Sequence, residues 1–222
     1  MFRKLAIMFI GPSGSGKSSL SRMMSERRGL DYIDTGELIK KTFSDPKNAD
    51  NEVIQKTKQA YFGGQLVDPA FVITLVLDES KRIFERGKGI VFSGSPRTIF
   101  EAELLVPFLA ENYGKENIHA FLLNVSEEEV IKRMSQRRVC NQCGLPIMPN
   151  DKNDHCLICG GEIITKSMDD PEKITIRFSE YNERTKPVID YLKNAELLIP
   201  INAEPLPEEI LKEISRAIDL FL

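Results

Sequence analysis

A chain of 222 residues with 41% hydrophobic and 28% charged residues can bury a full core and is too evenly composed for a disordered or fibrous protein. Its formal net charge of −3 lacks the basic excess of a protein whose main partner is a nucleic-acid backbone, so no such partner is expected. No apolar stretch approaches bilayer-spanning length, so a cytoplasmic protein without a membrane partner is expected, and a monomer.

Met1, Phe2, Arg3 and Lys4 precede an apolar run over 5–10, the outline of a signal peptide. The run is too short and leads into a glycine-rich loop, so it reads as a buried first strand. That loop is Gly11-Pro12-Ser13-Gly14-Ser15-Gly16-Lys17-Ser18, and Leu20, Met23 and Met24 mark the amphipathic helix after it. Glycines at 11, 14 and 16 allow a tight turn whose N–H groups converge on one point at the positive end of the helix, a hollow suited to phosphate. Lys17 then reaches the β- and γ-phosphates of a nucleoside triphosphate, and Ser18 or Ser19 supplies a hydroxyl near its magnesium.

Further β-rich runs at 32–33, 90–92, 119–125 and 197–201 alternate with helical stretches, which predicts a parallel sheet buried on both faces. Asp68-Pro69 and Asp170-Pro171 each read as an N-cap followed by proline at the first helical position. A last helix from about Pro207 carries Ile210, Leu211, Ile214, Ala217, Ile218 and Phe221 on one face. Two segments interrupt the alternation: a polar helical stretch at about 40–66, and a region at about 139–169 with little helical periodicity. Ligands of open α/β sheets bind beyond the carboxyl ends of the strands, so insertions after strands are placed to cover a substrate.

All four cysteines lie in two C-x-x-C pairs, Cys140/Cys143 and Cys156/Cys159, with twelve residues between the pairs. Two such hooks supply the four thiolates of a tetrahedral zinc, and a closed set of four protein ligands makes that zinc structural. His155, beside Cys156, is a possible replacement ligand but reads more simply as an exposed histidine.

Taken together these pieces resemble the adenylate kinase family in its long form with a zinc-bearing lid. The resemblance rests on the phosphate loop, Asp34-Thr35-Gly36-Glu37-Leu38, Gly64-Gln65-Leu66-Val67, Gly94-Ser95-Pro96-Arg97-Thr98, Arg133 with Arg137 and Arg138, the cysteine hooks, Asp169-Asp170 and Arg177. It implies a P-loop fold with a five-stranded parallel sheet flanked by helices, a core at 1–33, 67–138 and 171–222, a monophosphate-binding insertion at 34–66 and a zinc lid at 139–170. It also implies transfer of the γ-phosphoryl of Mg-ATP to AMP, yielding two ADP. Such a reaction needs converging cations rather than a covalent nucleophile, and Lys17, Arg97, Arg133, Arg137 and Arg177 match the family's phosphate clamps. By the same resemblance Gly11, Ser13, Gly14, Ser15, Gly16, Lys17, Ser18, Ser19, Arg133 and Arg137 face ATP. Thr35, Gly36, Lys40, Gly64, Leu66, Val67, Gly94, Arg97, Glu101, Lys166 and Arg177 face the monophosphate.

Several positions depart from the family's pattern. Ser18-Ser19 stands where Gly-Thr is usual, and Lys40 and Lys166 stand where arginines are usual. Ser93 replaces an aspartate that organises the magnesium waters, so that either a neighbouring acid substitutes or the metal is held more weakly. Glu101 falls where the family reads adenine with glutamine; a carboxylate offers acceptors alone and suits the N1–H and N2–H of guanine. The alternatives to an adenylate kinase are therefore a kinase for another monophosphate such as GMP, or a weakly active relative that binds nucleotide or RNA.

Overall fold

A computed structural model describes residues 4–147, 151–165 and 171–220 of the chain. Five strands form one parallel sheet: β1 (Ala6–Ile10), β2 (Asp31–Asp34), β3 (Ile90–Ser93), β4 (Ile118–Asn124) and, after an intervening small sheet, β8 (Leu198–Asn202), in the order β2-β3-β1-β4-β8. The chain runs from β1 outward to β2 and β3 on one side, then to β4 and β8 on the other. The turn after β1 therefore sits at the topological switch point, where a crevice opens beyond the strand ends.

Each expected strand run is present with its limits moved by one residue or so, because uninterrupted apolar sequence suits strands covered on both faces. Along β1 the period-two alternation sorts the side chains into two cores. Ala6, Met8 and Ile10 join Ile33, Ile90, Phe92, Ile118 and Ala120 beneath α4 (Pro69–Glu85) and α5 (Ile99–Tyr113). Ile7 and Phe9 join Val91, Phe121 and Leu123 beneath α1 (Lys17–Arg28) and α9 (Pro207–Asp219). The helix from Pro207 buries Ile210, Leu211, Ile214 and Ile218, the stripe its periodicity predicts; Phe221 lies outside the described residues.

Asp68 caps α4 by accepting the Phe71 N–H at 3.0 Å, with Pro69 next to it, so that device folds as its sequence predicts. Its repeat at Asp170-Pro171 is described only from Pro171, where α7 (Pro171–Glu180) begins. The stretch at 40–66 holds the end of α2 (Thr35–Ser44), a short 3₁₀ turn, and α3 (Glu52–Phe62), whose cap Asn51 accepts the Val53 and Ile54 N–H groups. Beyond α6 (Glu127–Ser135) the chain makes a separate antiparallel sheet of β5 (Arg138–Cys140), β6 (Pro146–Ile147) and β7 (Ile163–Thr165), in the order β6-β5-β7. A single π-helical turn over Tyr181–Thr185 joins α7 to α8 (Lys186–Asn194).

Phe121, at the centre of β4, is fully buried and packs its ring 5.8 Å from that of Phe9. Phe121→Ala is expected to cost about 3–5 kcal/mol, because a close-packed sheet cannot collapse onto the space left. Guanidinium-chloride unfolding should show a lower midpoint with an unchanged slope.

Candidate active site

A cleft of about 1060 Å³ opens beyond the carboxyl ends of the strands and is lined by the loop after β1, by α2 and the end of α3, by the turn after β3, by the end of α6, by the small sheet and by α7. Its floor is the phosphate loop. Gly16 takes a left-handed φ of 98° as N-cap of α1, and Gly14, at φ 83°, passes so near α6 that a Cβ there would lie 2.8 Å from Met134 Cγ. Gly11, Ser13, Ser15, Ser18 and Ser19 line the cleft around this turn.

Lys17 folds back over the loop, its ammonium donating to the carbonyls of Gly11 at 2.7 Å and Pro12 at 2.6 Å. Burial, and after it the positive charges of Arg97, Arg137 and Arg177, hold its pKa well below the ordinary lysine value. These cations come from four different segments: the start of α1, the turn after β3, the residues after α6, and α7. An anion among them would relieve their repulsion. Arg133 stands apart, pairing with Glu129 at 2.8 Å and donating to the Ala203 and Glu204 carbonyls at 2.9 Å, beside Pro205 and Leu206 on the far wall.

The opposite wall holds the residues assigned from sequence to the monophosphate. Asp34 caps α2 by accepting the Glu37 N–H at 3.2 Å, which sets Thr35 and Gly36 in the helix's first turn. The Thr35 hydroxyl donates to Ser95 Oγ at 3.0 Å and ties α2 to the turn after β3. In that turn Arg97 donates Nε–H to the Gly94 carbonyl at 3.0 Å, and its own carbonyl accepts from the Thr185 hydroxyl at 3.0 Å. Lys40 pairs with Glu37 at 2.6 Å; burial is the largest influence and works against its charge, but the Glu37 hydrogen bond together with the charges of Glu37, Tyr61 and Asp34 holds its pKa above the ordinary value. Gly64, Leu66 and Val67 complete this wall.

Glu101 is buried, only 3% exposed, at the start of α5. Its carboxylate accepts from the Arg97 N–H at 3.0 Å and from the hydroxyls of Ser95 at 3.3 Å and Thr98 at 3.2 Å. Burial pushes its pKa above the ordinary carboxylate value against the pull of those donors and of the Arg97 charge. Lys166, Asp169 and Asp170 lie outside the described residues.

No motif pointed to Tyr61. Its hydroxyl projects to the start of α2, where a Cβ on Gly36 would lie 3.0 Å from it, and its ring packs edge-on against Phe43. Burial raises its pKa, with Lys40, Arg97 and Arg177 among the charges around it. Its placement on the last turn of α3 was hidden in sequence because a tyrosine there reads as one more half-buried helix residue.

The cysteine hooks bring four sulfurs within 4.8 Å of one another. Cys140 Sγ is 3.5 Å from Cys159 Sγ, and Cys143 Sγ is 3.7 Å from Cys156 Sγ. Four sulfurs at about 2.3 Å from a tetrahedral zinc stand about 3.8 Å apart, so the set fits that metal as a closed structural site. Backbone N–H groups within each hook lower the pKa of Cys140 to about 6 and also lower that of Cys156, whereas, against the Gly161 N–H, the neighbouring sulfurs push that of Cys159 up to about 12, the mutual repulsion that a cation among four thiolates would relieve. His155 is exposed and outside the cluster, bridging to Glu162 in a backbone pair. The lobe around the hooks reaches across the cleft, where a Cβ on Gly144 would lie 3.8 Å from Glu37 Oε1.

The purified protein is expected to carry about one zinc per chain, measured by elemental analysis. Chelation should expose the amides of β5–β7 to hydrogen exchange before those of the parallel sheet, since the small sheet has scant apolar packing of its own. Simultaneous exchange of both sheets would contradict a separately held lobe.

Comparison with known proteins agrees with this geometry. The profile of the family described as adenylate kinase matches residues 9–197. An adenylate kinase of Thermosipho melanesiensis is 31% identical over 212 residues, covering 94% of this chain and 96% of its own. That of Kosmotoga olearia is 34% identical over 218 residues, covering 94% and 98%, and that of Archaeoglobus fulgidus is 30% identical over 217 residues, covering 96% and 97%. With a phosphate loop at the switch point of a five-stranded parallel sheet and similarity along almost its whole length, the chain belongs to the adenylate kinase family.

Proposed function

We propose that the protein transfers the γ-phosphoryl group of Mg-ATP to AMP, giving two ADP. The observation that carries this reading is the meeting of Lys17, Arg97, Arg137 and Arg177 at the mouth of the phosphate loop. In such a transfer an oxygen of the AMP phosphate bonds to the γ-phosphorus as the bond from that phosphorus to the β-bridging oxygen breaks, leaving ADP on each side. Charge spreads over the γ-oxygens midway, and fixed cations stabilise it without reorganising. Lys17 and Arg137 are assigned to the triphosphate, Arg97 to the monophosphate, and Arg177 to the space between them. Arg133, braced against the 203–204 carbonyls, is assigned to the base end of the triphosphate rather than to the moving group. The magnesium accompanying ATP supplies charge neutralisation at the β- and γ-oxygens.

The 34–66 insertion and the 139–170 lobe act in this reading as covers that exclude water, and the remainder as the core that carries the loop. We also assign the protein to the cytoplasm as a monomer. Among the described residues no helix is long and apolar enough to cross a membrane, which is compatible with that assignment.

Glu101 is assigned a supporting role: its carboxylate braces the turn that carries Arg97, and its oxygens are engaged there rather than offered to a base. This favours AMP over GMP as the natural acceptor, since the guanine-matching carboxylate of the sequence reading is otherwise occupied.

Incubation with Mg-ATP and each of AMP, GMP, CMP, UMP and dTMP should give ADP fastest with AMP; a faster reaction with GMP would overturn the assignment. Lys17→Ala and Arg97→Ala should each lower kcat/KM about 10²- to 10³-fold, with little change in melting temperature. Near-native turnover in either would remove that residue from the mechanism.

Glu101→Gln should leave the AMP/GMP ratio of kcat/KM unchanged; a rise in that ratio would show that Glu101 reads the base after all. It also predicts a pH effect. The folded pKa of Glu101 lies above its ordinary 4.5, so the stability its proton supplies is present below that value and is lost as pH rises through the folded value. Removing the titration should make the variant progressively more stable relative to wild type as pH climbs above 4.5, measured by denaturation across a pH series.

A further inference from the structure

Phosphate-loop enzymes hold the magnesium of their nucleotide with the loop's Ser or Thr and with a carboxylate at the end of a strand beside it. Here the loop hydroxyl is that of Ser18, and it lies 3.0 Å from Ser93 Oγ at the carboxyl end of β3. The strand beside the loop thus ends in a neutral side chain, and the loop hydroxyl is bonded to it.

One strand further out, Asp34 stands in register with Ser93 across the β2–β3 ladder. Paired residues of a ladder share a face, and Tyr32, two residues before Asp34, lies on that face as well. The Tyr32 hydroxyl donates to Asp34 Oδ2 at 2.8 Å and stands near the Ser93 side chain. Two hydrogen-bonded polar pairs, Ser18 with Ser93 and Tyr32 with Asp34, thus lie side by side where β3 and β2 end in register, at the lip of the cleft. The Arg22 guanidinium covers the Tyr32 ring at 5.1 Å and closes the outer side of the row.

The other described carboxylates that line the cleft are engaged elsewhere. Glu37 pairs with Lys40 at 2.6 Å, Glu129 with Arg133 at 2.8 Å, and Glu180 with Arg184 at 3.3 Å. Glu204 accepts the Ser126 N–H at 3.2 Å, and Glu101 is buried in its own turn. Among the described residues Asp34 has neutral hydrogen-bond partners, the Tyr32 hydroxyl and the Glu37 N–H, and forms no ion pair within 4.0 Å, with Lys40 acting on it only at longer range.

We infer that Asp34 is the carboxylate that positions the hydrated magnesium of the triphosphate, one strand removed from the strand next to the loop. The inference rests on the kinase reading above. Magnesium binds oxygen at about 2.1 Å and keeps several of its waters, and a carboxylate accepts from such a water at about 2.7 Å. An acid separated from the loop hydroxyl by two intervening groups is suited to that outer role rather than to direct ligation. Asp34 is thus a positioning residue: it orients the metal's waters and, through them, the β- and γ-oxygens.

The test compares the affinity of the zinc-loaded full chain for a non-hydrolysable ATP analogue, by calorimetry, with magnesium and in magnesium-free buffer without chelator. The wild type should bind more tightly with magnesium. Asp34→Asn should lower that magnesium gain about tenfold, the usual cost of losing an outer-shell partner, while binding without magnesium stays equal or tightens because a negative charge has left the phosphates' surroundings. Asparagine caps a helix as well as aspartate does, so a purely structural role in α2 would leave the gain intact. Asp34→Ser, which also retains a cap, should behave like Asp34→Asn. Adding Ser93→Asp to Asp34→Asn should restore the gain by returning a carboxylate to the adjacent strand. A gain that survives both Asp34 substitutions overturns the assignment of Asp34 alone. Wild-type protein that binds the analogue under neither condition overturns the kinase reading and the role of Asp34 with it.

Discussion

Mutual repulsion among Lys17, Arg97, Arg137 and Arg177 is the constraint around which the cleft is built. Burial first, and the neighbouring like charges after it, disfavour the charged form of Lys17, as its lowered pKa records. Two of these cations are fixed by something stiffer than their own side chains. Lys17 is the first residue of a helix anchored by Leu20 and Met24 under the sheet. Arg97 is held by Gly94 at its guanidinium and by Thr185 at its carbonyl. Such a site is complete only with an anion in it, and preorganised cations are what phosphoryl transfer requires.

The elements that hold these cations also tie the layers together. Thr35 bonds Ser95, Ser95 bonds Glu101, and Glu101 bonds the backbone of Arg97, so α2, the turn after β3 and the first turn of α5 move as one piece. The zinc hooks serve the same end at the opposite rim. A short three-stranded sheet cannot order itself by apolar packing, and four thiolates around one metal replace the missing core.

The core was legible in sequence because its signals are local and redundant. Uninterrupted apolar runs mark strands covered on both faces, and Asp68-Pro69 marks a helix start by its own chemistry. The phosphate loop and the cysteine hooks were legible because their spacing fixes their geometry. What stayed hidden depends on side-chain partners distant in sequence. Nothing near Arg133 in the chain announces the 203–204 carbonyls that hold it, whereas the partners of Glu101 lie just three to six residues before it. In the sequence Tyr61 is one more residue of a helical stretch and Asp34 one position of a motif; their proximity to Gly36 and to Ser93 exists only once α3 folds over α2 and β2 aligns with β3.

The π-helical turn over Tyr181–Thr185 divides one long helical stretch into two with different duties. Before it, Ile174 and Phe178 pack on Val130 and Met134 beneath the phosphate loop, and Arg177 lines the cleft. After it, Val188 and Leu192 enter the main core beneath the sheet. A π turn carries one residue more than an α turn, and each residue of an α-helix accounts for about 100° of rotation. The extra residue therefore acts as a phase shifter. Without it, a continuous helix anchored by Val188 and Leu192 would swing the Arg177 side of α7 about a quarter of a turn around the axis. Chain length across 181–185 is accordingly as much a determinant of the cleft as any side chain within it, and relatives that keep the arginine but alter that length would present it to a different neighbour.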